Sequence, residues 1–205
     1  MLLCVALAAA AGYALFTDDG IIRNHLQAGS LDISLKRVLL EKRTLDDKGY
    51  LFDAEPDTTV VDFSRETKEN IFGIAKGEWI IPGSKFSATL ELENIGNVDF
   101  GYFLNVVCNH ETSGEYLARQ VKITVISDKF SAFVADGLSV RGEENEYIDI
   151  VRVGDKATFT VTIEFLDSDI PENEIEDNNL AKNQTLDFDL IVTAVQLIDK
   201  SPNSP

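Results

Sequence analysis

The chain reads as an all-β protein, an antiparallel β-sandwich of jelly-roll or Greek-key type with short decorating helices. Three observations predict this class. Apolar and polar residues alternate with a period of two in one run after another, turn-forming Gly, Asn, Asp and Pro residues fall between the runs, and helical periodicity is thin throughout. Roughly eight to ten strands spaced along one chain with almost no helix exclude an alternating β-α-β architecture.

The elements follow in order. Leu31-Asp32-Ile33-Ser34-Leu35-Lys36 alternates and reads as the first half-buried strand, and Asp47-Lys48-Gly49 supplies a tight turn after it. Residues 64–76 carry a weak helical pattern. Pro82-Gly83 turns the chain into Phe86-Ser87-Ala88-Thr89-Leu90-Glu91-Leu92-Glu93, and Ile95-Gly96-Asn97 predicts a hairpin joining 84–94 to 98–108. A second short helix is expected over 113–119, then a strand at Val121-Lys122-Ile123-Thr124-Val125. Asp136-Gly137 and Gly154-Asp155 mark further turns. The strand at 157–165, from Ala157 to Phe165, is the cleanest alternation in the chain, and 186–192 closes the set. A slip of one residue would expose every apolar side chain of such a strand, so register is strongly specified.

No Pro-, Gly- or Ser-rich linker divides the chain, so residues 28–198 read as one domain followed by a polar tail at 199–205. With 44% apolar residues and only 5 Pro in 205 residues, the composition is that of a folded chain with a sizeable core. Charge is the deviation: 18 basic against 35 acidic residues give −17. The field over most of the surface repels phosphate backbones, so nucleic acid is not an expected partner.

Residues 1–14, MLLCVALAAAAGYA, are uncharged and end in Gly12-Tyr13-Ala14, small residues at the positions a signal peptidase reads. This is the pattern of a secretory leader, cleaved between Ala14 and Leu15. The apolar run 1–16 is too short, at about 1.5 Å per helical residue, to span a hydrocarbon core of about 30 Å, so no stable membrane anchor is expected after cleavage. Cleavage leaves Leu15, Phe16, Ile21, Ile22 and Leu26 on the new N-terminal segment, residues 15–27, and such apolar groups need burial. The segment either pairs with the edge of its own domain or completes the sheet of a neighbour.

Chemistry-bearing motifs are scarce. Two histidines, His25 and His110, with no H-E-x-x-H, no G-x-S-x-G and no P-loop, leave no recognisable catalytic constellation, and an enzyme is not expected. Cys4 and Cys108 are too few for a disulfide framework or a paired-cysteine zinc site, and Cys108 reads as a buried thiol. Trp79, beside Ile80 and Ile81, reads as core rather than a sugar platform. Asn183-Gln184-Thr185 is a glycosylation sequon. The densest acidic stretch contributes Asp167, Asp169, Glu172, Glu174, Glu176 and Asp177, oxygen ligands of the kind Ca²⁺ takes. Their spacing lacks the calcium-loop pattern and its glycine, so a solvated loop is the reading and calcium bridging only a weak candidate.

Three blocks carry a family resemblance. The small-residue leader runs into Ala14-Leu15-Phe16-Thr17-Asp18, then Asn24, then Ala28-Gly29-Ser30-Leu31-Asp32-Ile33. Ile81-Pro82-Gly83 leads to Leu90-Glu91-Leu92-Glu93-Asn94-Ile95-Gly96-Asn97-Val98, and Asn183-Gln184-Thr185-Leu186-Asp187-Phe188-Asp189-Leu190 ends in Ala194-Val195-Gln196. In this order the blocks resemble the TasA and camelysin type of secreted proteins, released by a SipW-like signal peptidase. The resemblance implies a jelly-roll subunit that is exported, cleaved, and polymerised head to tail into extracellular biofilm matrix fibres, each N-terminal strand donated to the next copy. The stretches 41–80 and 167–179 have no counterpart in those blocks. Two rivals follow: a monomeric cell-surface adhesion or carbohydrate-binding β-sandwich, and a camelysin-like metalloprotease, for which two histidines offer little support.

Overall fold

The computed structural model describes residues 21–24, 31–64, 70–74, 80–108, 113–127, 130–136, 149–186 and 188–197, with backbone alone for 21–24, 105–108, 130–136 and 188. Its described elements are β1 (Ile21–Asn24), β2 (Ile33–Leu45), β3 (Leu51–Asp53), β4 (Val61–Asp62), β5 (Lys85–Asn94), β6 (Phe100–Cys108), α1 (Glu115–Gln120), β7 (Val121–Ser127), β8 (Phe130–Asp136), β9 (Asp149–Val151), β10 (Lys156–Phe165) and β11 (Phe188–Gln196). Two single 3₁₀ turns, Pro171–Asn173 and Asn178–Ala181, lie between β10 and β11. The protein is all-β and mostly antiparallel.

The strands form two sheets. The larger has the order β3-β2-β5-β10-β7-β8, with β4 also on β2, and the smaller has the order β1-β11-β6-β9. Alternation accounts for the larger sheet. In β5 and β10 every second side chain is buried, and Ala88, Leu90, Leu92, Phe159, Val161 and Ile163 are at most 3% exposed. From the smaller sheet Phe100, Tyr102, Leu104, Leu190, Val192 and Ala194 enter the same core. Tyr102 and Phe159 stack with ring centroids 6.1 Å apart, joining the two layers at their middle.

The hairpin expected through Ile95-Gly96-Asn97 is not formed. β5 pairs with β2 and β10 in the larger sheet, whereas β6 pairs with β11 and β9 in the smaller, so the chain crosses between layers at this turn. The buried Asn94 directs the crossing. Its side-chain amide donates to the carbonyls of Val98 (2.8 Å) and Val151 (3.1 Å), and its side-chain oxygen accepts from the Gly96 N–H at 3.1 Å. Its backbone N–H donates to Asp155, its carbonyl accepts from Gly154, and Ile95 N–H donates to Asp32. Gly154, with φ of +79°, supplies the left-handed position that this turn between β9 and β10 requires.

The helix expected over 64–76 is absent at 70–74, the described part of its C-terminal half. Asn70, buried, captures the backbone instead. Its side-chain oxygen accepts from the N–H groups of Phe72 (3.1 Å) and Ile74 (3.0 Å), and its amide donates to the Ile74 carbonyl at 2.6 Å. Such local bonds compete with helix formation. Gly73 sits at a φ of +56°, which a helix does not tolerate, and a Cβ there would come within 3.1 Å of Leu40. From β2, Arg37 donates to the carbonyls of Asn70 and Ile71, each at 3.2 Å, and Lys42 donates to that of Gly73 at 2.7 Å. Phe63, Ile71, Phe72 and Ile74 are thereby set into the core without belonging to a strand pair. The second helix forms as α1, displaced slightly toward the C-terminus.

Two outcomes test this account. Replacing Asn94 with Ala strips partners from buried carbonyls and should cost about 1–3 kcal/mol, read as a lower urea midpoint with unchanged slope. The Tyr102 phenol, 1% exposed, is pushed above its ordinary value by burial and, secondarily, by the Asp149 carboxylate. The unfolded chain therefore loses this proton first, and stability should be intact below about pH 10 and fall as pH rises past it. A Tyr102→Phe variant should show a shallower alkaline decline in urea midpoints measured from about pH 8 to 11.

Candidate assembly edge

β11 is nine residues long and pairs with β6 along its whole length, from Phe188 beside Cys108 to Gln196 beside Phe100. Its other edge receives β1 in parallel, with Ile21 beside Ile191, Ile22 beside Val192, Arg23 beside Thr193 and Asn24 beside Ala194. No hairpin can make such a pair, because parallel neighbours require a long connection. Here the chain leaves β1 and enters β2 in the other sheet. β1 is the outermost strand of its sheet, and its four residues cover less than half of β11. At about 0.5–1.5 kcal/mol net per backbone hydrogen bond, this ladder is worth a few kcal/mol at most, well below the stability of a typical domain.

Of the residues singled out for strand donation, Ile21 and Ile22 fall in β1, while Leu15, Phe16 and Leu26 lie outside the described residues, as does the cleavage position Ala14. The pairing places Ile21 and Ile22 at the edge of their own sheet, one of the two arrangements open from sequence. The parallel direction and the identity of the accepting strand were not legible in the N-terminal segment itself. The available signal lay at the other end of the chain, where Leu190-Ile191-Val192 is apolar on both phases, as in a strand with neighbours on every side.

Side-chain amides organise the backbone of the acidic stretch. Gln120, 1% exposed at the end of α1, donates to the carbonyls of Glu176 (3.2 Å) and Asp177 (3.3 Å) and accepts from the Asn178 amide at 3.0 Å. Asn178 also donates to the Leu166 carbonyl at 3.0 Å, and its side-chain oxygen accepts from Ser168 N–H at 2.7 Å. Asp167 and Asp177 each cap a local turn, accepting from the N–H groups of Asp169 and Asn179. Asp169, Glu172, Glu174 and Glu176 are exposed. Among the described residues, no three His, Cys, Asp or Glu side chains are grouped to hold a metal ion. His25, His110 and Trp79 lie outside the described residues, and Cys108 is described by its backbone alone. Asn183 of the sequon is exposed, at a φ of +62°. Among the described residues no helix is long and apolar enough to cross a membrane.

Comparison with protein-family models, curated proteins and solved structures gives no match for this chain.

The amide network carries its own expectation. A Gln120→Leu variant keeps the buried volume but strips the Glu176 and Asp177 carbonyls of their donor, at a cost of about 1–3 kcal/mol. Hydrogen exchange should accelerate across 166–181, with the β5 and β10 amides protected as before.

Proposed function

We propose that this protein is a secreted, non-enzymatic structural subunit of an extracellular matrix fibre, a jelly-roll β-sandwich whose N-terminal strand is exchanged between copies. The observation that carries the reading is the parallel seat of β1 at the outer edge of β11. A strand on an outer edge, held by a short ladder, can leave its own β11 and be replaced by the same strand of a second copy with the same register. This is strand exchange of the domain-swapping kind, and because each copy gives to one neighbour and receives from another, the contact is open and extends into a filament. The leader-like residues 1–14 and the family resemblance support an event outside the cell, after cleavage between Ala14 and Leu15. The net charge of −17 opposes it, so screening by salt or divalent cations should speed assembly.

A second reading has its own support. β1 already pairs with its own chain, as a monomeric surface adhesion or carbohydrate-binding module requires.

Negative-stain electron microscopy of residues 15–205, incubated in moderate salt with calcium, separates the two. Regular thin filaments are expected, and they should be lost in an Ile22→Pro variant, which lacks a backbone N–H in the middle of β1. A folded 15–205 chain that stays monomeric under these conditions would instead establish the module reading.

A further inference from the structure

The connection between β10 and β11 carries four asparagines, and the fold uses them differently. Three are engaged. The Asn173 amide donates to the Asp167 carbonyl at 2.7 Å, that of Asn178 to Gln120 Oε1 and the Leu166 carbonyl, each at 3.0 Å, and that of Asn179 to the Asp177 carboxylate at 2.9 Å. The fourth, Asn183, is exposed, and among the described residues its carboxamide has no hydrogen-bond partner.

Its neighbours hold it at the surface. Gln184 N–H donates to the Ala181 carbonyl at 3.1 Å, closing a turn with Lys182 at φ −59°, ψ 133° and Asn183 at φ +62°. These are the angles of a type II turn, whose third residue is left-handed, a conformation Asn adopts more readily than most. Gln184 is anchored to α1: its side-chain oxygen accepts from Leu117 N–H at 2.9 Å, and its amide donates to the Leu180 carbonyl at 3.2 Å. The Thr185 carbonyl accepts from Gly114 N–H at 2.8 Å, and the residue is exposed. Asn183 and Thr185 thus stand in solvent on either side of a pinned Gln184.

We propose that Asn183 is the acceptor of an N-linked oligosaccharide, attached during export. Asn183-Gln184-Thr185 offers what an oligosaccharyl transferase recognises, a carboxamide and a hydroxyl two residues on with no proline between. Such a triplet recurs by chance and counts only on a surface loop of an exported chain. Here the loop is at the surface and the acceptor amide is uncommitted. The donor is an oligosaccharide carried on a lipid pyrophosphate. Asn183 Nδ2 attacks its anomeric carbon; the N–C bond forms as the C–O bond to the pyrophosphate breaks. The lipid pyrophosphate leaves with the electron pair, and one amide proton passes to a base of the transferase. A glycan at this turn leaves the buried Ala181 and Leu186 undisturbed. It is attached before β11 begins, not on the Ile191–Ala194 stretch that seats β1.

The proposal rests on the export reading above, and its test keeps the two apart. The full chain is isolated from the cells that naturally make it and from their medium, beside Asn183→Asp, Thr185→Val and Thr185→Ser variants, and peptides spanning residue 183 are weighed by mass spectrometry. The parent peptide should carry the added mass of a sugar chain. Asn183→Asp and Thr185→Val should lose it entirely, and Thr185→Ser should keep it. Asp suits the left-handed turn but has no amide nitrogen, and Val at 185 leaves that turn alone, so loss in both reports recognition of the pair rather than a change of fold. Urea midpoints check that the variants fold. A bare Asn183 in the parent overturns the proposal in whichever fraction the chain is found, as does a sugar that persists in Asn183→Asp or Thr185→Val. Export is scored separately, by the presence of the chain in the medium with an N-terminal peptide starting at Leu15; an exported, cleaved chain with a bare Asn183 removes the glycan and leaves the export reading standing.

Discussion

The architecture turns on how the chain leaves one sheet and enters the other. Between β5 and β6 a short turn could close a hairpin, which would put both strands in one layer and leave the core without a second wall. The side chain and backbone of Asn94 prevent this by fastening the start of the turn to the segment between β9 and β10 and, through Ile95, to the chain entering β2. Once that corner is held, Phe100 and Tyr102 necessarily face β10 from the opposite layer, and the Tyr102–Phe159 stack can form. A single buried amide is suited to this task because it satisfies two carbonyls and one N–H at a place where neither sheet supplies partners.

The same device recurs wherever regular structure stops. Asn70 shapes the segment that carries Phe72 into the core, with Arg37 and Lys42 reaching from β2 to its remaining carbonyls. At the other end Gln120 and Asn178 draw the long connection between β10 and β11 against α1. These connections contain little helix or strand, yet their backbone groups are paired with side chains in place of a ladder. The acidic residues around Asn178 are left to solvent and supply most of the local charge.

Strand positions were largely legible because a half-buried strand must alternate. β5, β7 and β10 stand within a residue or two of their expected spans for that reason. β2 runs well beyond Lys36, where the readable alternation ends, because a register shift between Arg37 and Leu39 changes the phase in mid-strand. β11 likewise continues past Val192, since residues apolar on both phases carry no period. Pairing was less legible than position. Gly96-Asn97 announces a turn, but the choice of sheet beyond it rests on bonds to Asp155 and Val151, more than fifty residues away. The helix expected over 64–76 failed for a related reason: Asn70 and Gly73 act through geometry that a weak apolar period does not encode. For the assembly edge, the need to bury the N-terminal segment was readable, whereas its direction and partner depended on β11, the last strand of the chain.

That direction has a geometric consequence. In the proposed strand exchange, a strand arriving from another copy takes the parallel seat that β1 occupies on β11, and every copy in the resulting row points the same way. One terminus of the row then presents a vacant β11 edge and the other an unplaced β1 strand. The two ends are chemically distinct, so growth can be blocked at one end by a lone strand peptide without affecting the other, and the row has a front and a back as surely as the chain has an N-terminus and a C-terminus.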